Sequence, residues 1–127
     1  IDTIKPSIVF THHSGDLNID HRLTHDAVLT ACRPTPSSCV REIYSFEVLS
    51  STEWGVFNDN FFIPTKFVDI VDTFDQKMEA LHSYNEEMRE FPHSRSFESV
   101  ESLAKLRGSS VGIELAECFQ TIRIIEK

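Results

Sequence analysis

The passage that most constrains this chain runs from Ser7 to Cys32. It opens on a short β-branched and aromatic run, Ser7-Ile8-Val9-Phe10-Thr11, with none of the polar alternation of a half-exposed strand. Strands covered on both faces have that pattern, as in a parallel sheet. A polar turn follows, holding His12, His13, Gly15 and Asp16, and the last two are turn formers. Asn18 or Asp20 can cap the next helix, and the Asp20 charge suits the positive end of its dipole. Within that helix Leu23, Ala27 and Ala31 make one stripe, while His21, His25, Val28 and Cys32 make an adjacent one. Arg33-Pro34 ends it and Thr35-Pro36-Ser37-Ser38 forms a loop. In open α/β sheets ligands bind outside the carboxyl ends of the strands, and the chelating side chains here fall just past one.

The remaining elements fit the same class. Arg41 to Val48 reads as a second strand, with Tyr44, Phe46 and Val48 on one face and Ile43 on the other. Leu49 to Pro64 is irregular and aromatic, with Trp54, Phe57, Phe61 and Phe62 among Ser, Asn, Asp and Gly, which marks a binding loop or a contact patch. Phe67 to Val71 is a third strand. Asp72 is expected to cap a helix carrying Phe74, Met78, Leu81 and Met88, stopped at Phe91-Pro92. Ser96 starts a further helix with Phe97, Val100, Leu103 and Ala104 inward, and Gly108 is its expected C′ residue. Cys118 to Ile125 reads as the last strand. The order strand, helix, strand, strand, helix, helix, strand is α/β. The 127 residues suffice for a single domain, 1–127.

Charge and composition exclude several partners. The net charge of -8 disfavours phosphate backbones and anionic membrane surfaces, so neither nucleic acid nor membrane is an expected partner. No apolar run approaches the roughly 20 residues a membrane helix needs. Cys32, Cys39 and Cys118 are scattered, outside any CxxC pair, which fits reduced thiols in a cytoplasm-like compartment and no structural zinc site. No Gly-rich phosphate cradle or Gly-x-Ser-x-Gly elbow is present.

The histidines are the remaining chemistry. His21, in the first helical turn beside Asp20, is the leading candidate for a metal ligand, since neutral imidazole binds zinc and needs a partner to fix its tautomer. His25 is one turn further on, but the Glu that would complete a His-Glu-x-x-His pattern is missing, so packing or solvation is its expected fate. Of His12 and His13, at most one can face the crevice. His82 and His93 read as surface residues. A metal site built from His12 or His13 with His21 and His25 is a weaker alternative.

Three stretches together carry a resemblance. They are Lys5-Pro6-Ser7-Ile8-Val9-Phe10-Thr11-His12, then Asp16-Leu17-Asn18-Ile19-Asp20-His21-Arg22, and a tail with Phe91-Pro92-His93-Ser94-Arg95-Ser96, Leu103-Ala104-Lys105-Leu106-Arg107-Gly108-Ser109 and Ala116-Glu117-Cys118-Phe119. The chain resembles the PIG-L/LmbE-like deacetylases over nearly its whole length. The resemblance implies a zinc-dependent hydrolase on a Rossmann-like α/β sandwich, a mostly parallel sheet flanked by helices, removing an acetyl group from an amino sugar or glycoconjugate. It implies that His21 is the third zinc ligand, that Asp20 tunes it, and that Asn18 stands where many members carry a His that assists the oxyanion.

The family's Ala-His-Pro-Asp-Asp-Glu motif, which supplies two ligands and the general base, does not occur here. One His cannot hold a catalytic zinc, which takes three protein ligands and a water. With the opening Ile1-Asp2-Thr3-Ile4-Lys5-Pro6, which reads as a helix tail, this leads to the expectation of a carboxyl-terminal part, inactive alone, with homo-oligomerisation possible. The competing expectation is a non-enzymatic α/β binding module using the aromatic loop 54–62.

Overall fold

The computed structural model describes residues 1–55 and 59–126. Four strands and three helices follow in the order β1 (Ile8–His12), α1 (Ile19–Ala31), β2 (Glu42–Phe46), β3 (Lys66–Asp69), α2 (Phe74–His82), α3 (Phe97–Ser109) and β4 (Ala116–Ile124), with one 3-10 turn at Val71–Thr73. The strands make one sheet in the order β1-β2-β4-β3. β1 pairs parallel with β2, in register Ile8 to Glu42 through His12 to Phe46. β2 pairs antiparallel with β4, with a register shift between Ile43 and Tyr44. The sheet is therefore mixed, which corrects the expectation of a mostly parallel one. The α/β class stands, and β1 to α1 to β2 is a parallel crossover, the connection for which a helix between strands is the usual solution.

The chain forms two compact units, one of Ile1–Lys66 with the residues from Phe119 onward, the other of Phe67–Cys118. In the first, the core lies between the sheet and α1. Cys32, Val40 and Ile43 are at most 1% exposed, and Val9, Val28, Leu29, Cys39 and Ile122 pack on them. The helical stripe that is buried is thus the one through Val28 and Cys32, while Leu23 and Ala27 face outward. On the opposite face Phe10 lies against Tyr44 and Phe119, with ring centroids 5.6 and 4.9 Å apart, and the Lys66 ammonium sits 3.9 Å over the Tyr44 ring.

The second unit has its own small core of Ile70, Ala104 and Leu115, with Phe74 against it. Ser96 caps α3 as expected, its hydroxyl accepting from the Ser99 amide at 3.1 Å. Two local expectations fail here. Gly108 is not a C′ residue but a buried residue inside α3, because a Cβ there would meet the carbonyl oxygens of Ile113 and Glu114 at 2.7 Å. The positive φ of 80° belongs to Gly112 instead. The helix expected to run from Asp72 to Phe91 ends at His82, so Met88 lies beyond it; Asp69, not Asp72, accepts the Val71 amide at 3.0 Å.

Candidate functional site

The loop between β1 and α1 is held from both sides. Arg22 reaches back from the first turns of α1 and donates to the carbonyls of Asp16 and Leu17 at 2.7 and 2.8 Å. The Leu17 amide donates to the Ser51 carbonyl at 3.0 Å. His13, 2% exposed, contributes its Nε2 to a 2.9 Å hydrogen bond with the Asn60 carbonyl, so it is a structural residue of the loop. Gly55 abuts Gly15 so closely that a Cβ on Gly55 would collide with the Gly15 carbonyl oxygen. This is the close approach that requires glycine, and it fixes the loop Ser50–Gly55 against the loop after β1.

The arrangement presents His21. Its Nδ1 lies 2.8 Å from Asp16 Oδ2, with the aspartate fully buried and the His21 side chain 19% exposed. The Ser51 hydroxyl is 3.3 Å from the same nitrogen and also accepts the Asn18 amide at 3.3 Å. A carboxylate accepts only, so Nδ1 carries the proton and donates to it. In the neutral ring the lone pair then resides on Nε2. The His12 ring stacks on His21 with centroids 4.1 Å apart and planes at 26°. Burial, then the neighbouring His21, hold the His12 pKa below its ordinary value, with Asp16 opposing them; a neutral His12 is what the stack favours. His12 itself is anchored through its backbone, its carbonyl accepting from His25 Nδ1 at 2.9 Å.

The expected site residues therefore separate. His21 lies beside the carboxyl end of β1, stacked on His12, the last residue of that strand. Asn18 is exposed and caps α1, its Oδ1 accepting the Asp20 amide at 2.9 Å. Asp20 is exposed on the first turn, and its carbonyl accepts from Thr24 at 2.7 Å. The residue that orients His21 is Asp16, which sequence reasoning treated as a turn former. Its signal was present: a candidate ligand imidazole needs a carboxylate or carbonyl partner, and Asp16 is the acid of the preceding loop. Ser51 carried no such signal, because it approaches only through the packing of two loops. His25 is buried at 7% exposure, packed rather than ligating, and His82 stacks on Phe97 with centroids 4.4 Å apart. Of the aromatic loop, Trp54 and Phe61 are exposed, and Phe57 lies outside the described residues.

The fit to zinc is incomplete within this chain. His21 has the tautomer of a ligand, but among the described residues no group of three or more His, Cys, Asp or Glu could hold a metal ion. The alternative of a site from His12 or His13 with His21 and His25 accordingly has no support among the described residues.

No family model and no curated protein matches the sequence. Among solved structures, the chain is similar in fold to N,N'-diacetylchitobiose deacetylase from Pyrococcus horikoshii, solved with an inhibitor. The TM-score is 0.64 at 17% identity, over 95% of this chain and 47% of that one. The fold is thus similar to part of the fold of that protein, and the chain spans about half the length of that structure. Among the described residues no helix is long and apolar enough to cross a membrane.

Proposed function

We propose that this chain supplies one half of a zinc-dependent N-deacetylase acting on an acetylated amino sugar or glycoconjugate. The observation that carries the reading is the Asp16–His21 pair at 2.8 Å, placed where a strand ends, in a fold similar to a deacetylase. A buried carboxylate on Nδ1 makes Nε2 the more basic donor and fixes the ring, the arrangement that zinc-binding histidines share. In this reading His21 Nε2 contributes one ligand, Asp16 orients it, and Ser51 and the stacked His12 limit rotation of the ring. A bound zinc would polarise an amide carbonyl and activate water. No hydrolytic step is assigned to the residues of this chain, because the donors among the described residues do not complete a coordination sphere.

Metal analysis tests this directly. The purified 127-residue chain is expected to hold well under one equivalent of zinc after desalting. A longer product of the same reading frame is expected to hold about one equivalent per chain, as a three-ligand catalytic site would, and to release acetate from N-acetylated chito-oligosaccharides. Loss of that zinc on His21→Ala supports the reading. Tight stoichiometric zinc in the short chain, or unchanged zinc in the His21→Ala variant, overturns it.

A second reading, a non-enzymatic binding module, is favoured by the lack of three clustered donors among the described residues. It predicts that Trp54→Ala abolishes association with a partner while His21→Ala leaves it intact.

A further inference from the structure

The turn that follows β2 is held more firmly than a connection between elements requires. The Val48 carbonyl accepts the amides of Ser51 and Thr52 at 3.1 and 2.9 Å, and the Thr52 hydroxyl accepts the Val48 amide at 2.7 Å. The Thr52 carbonyl accepts the Gly55 amide at 3.2 Å, and the Glu53 carboxylate accepts the Ser50 amide. Ser50 itself, 8% exposed, has a φ of 67°, in the left-handed region that is unfavourable to a residue with a Cβ. Strain of that kind persists only where the surroundings over-determine it, and it collects at functional sites. Both ends of the turn meet the segment that presents His21. The Ser51 hydroxyl lies 3.3 Å from His21 Nδ1, and Gly55 stands against Gly15. Trp54 falls between these two contacts.

Trp54 is 43% exposed, and it is the one tryptophan of the 127 residues. Leu17, whose amide lies against Gly55, is 48% exposed. Ligand sites combine aromatic and apolar surface with a few polar groups that set orientation. The chemistry of this surface narrows the ligand. An indole offers a flat, uncharged face with negative π density, which attracts the positive edge of C–H groups. The net charge of -8 opposes phosphorylated or acidic ligands. A neutral pyranose suits both conditions, because its ring presents a rigid face of C–H groups and keeps its hydroxyls at the rim.

We propose that Trp54 is the platform on which a pyranose ring of the substrate stacks, and that it sets specificity beside His21. The proposal rests on the deacetylase reading above and deepens it by assigning the sugar a place on this chain. The clamped turn then has a purpose: it carries the stacking ring and Ser51 together, so the sugar and the His21 imidazole are placed by one rigid piece. All the residues that fix the turn are described here, so the platform is complete in the 127-residue chain.

Tryptophan emission tests this, because Trp54 is its only source in the chain. Titration of the 127-residue chain with N-acetylated chito-oligosaccharides is expected to move the emission to shorter wavelength and to saturate. Sorbitol, which has the hydroxyls but no ring face, should leave it unmoved. By calorimetry, Trp54→Ala is expected to weaken the oligosaccharide about 10-fold, and Trp54→Phe, which keeps an aromatic face, by less. Both variants change a side chain that is 43% exposed, and an unaltered circular dichroism spectrum checks their folding. Emission that no oligosaccharide moves overturns the proposal, as does an equal response to sorbitol or undiminished binding by Trp54→Ala. A shift that grows with protein concentration in the absence of sugar identifies a second copy as the occupant and overturns it too. A saturable sugar response in a protein whose longer product holds no zinc would remove the deacetylase reading and leave the stacking. Zinc and acetate release in that product, with emission of the short chain unmoved by sugar, would do the reverse.

Discussion

Truncating Asp16 to Ala deprives the His21 Nδ1 of its charged acceptor and leaves a polar void at a fully buried position. A hydrogen bond to a charged group is worth about 1.5–3 kcal/mol, so Asp16→Ala is expected to destabilise the chain by about 2 kcal/mol in denaturant titration. The same variant should let the His21 ring exchange tautomers, read as a change in its ring-nitrogen shifts, whereas Asp20→Ala should leave those shifts alone. Tyr44 supplies the pH-dependent case. Its hydroxyl donates to the Glu42 carboxylate, and that bond, then burial, push its pKa up to about 12 from 10.0. The folded chain thus prefers the neutral phenol more than the unfolded chain does. The stabilisation is complete below pH 10 and is lost as the pH rises through about 12. Absorbance titration should show this late ionisation, and Tyr44→Phe should abolish it together with the alkaline loss of stability.

At the scale of elements, α1 has a cap at each end supplied differently. Asn18 satisfies its start locally, a device visible in sequence. Its last turn contains no basic residue, and the carboxyl end is instead met by Arg123 from β4, whose guanidinium donates to the Cys32 carbonyl at 2.6 Å. That bond spans 91 residues of sequence and opposes the negative end of the helix dipole. Arg123→Met is expected to cost about 1 kcal/mol, measured by chemical denaturation, and to raise exchange in the last turn of α1 above that in its first. Gly55 illustrates the same scale from the loops. Its lack of a Cβ lets Ser51 come within reach of His21, so the two loops are packed as one piece.

At the scale of the molecule, burial concentrates on β2, where Ile43, Tyr44 and Ser45 are each at most 3% exposed between two paired strands. The slowest-exchanging amides of the first unit are therefore expected in β2, with β1 exchanging faster at its outward positions; a pattern slowest in α1 would contradict this. The strand, loop and helix that carry His21 were legible in the sequence because their signals are local: a β-branched run, turn formers, a cap and a helical period. The α/β class followed from element order for the same reason. Strand direction was not legible, since an apolar run buried on both faces reads alike in a parallel or an antiparallel pair, and β4 proved antiparallel to β2. Nor were the length of α2 or the place of Gly108 inside α3, which tertiary packing set against local propensity. The sequence alone put His12 at the end of β1 and His21 in the first turn of α1, because covalent spacing places them there. Only the tertiary structure decided that Asp16 and Ser51 orient His21, because a hydrogen bond between loops depends on how the chain closes on itself.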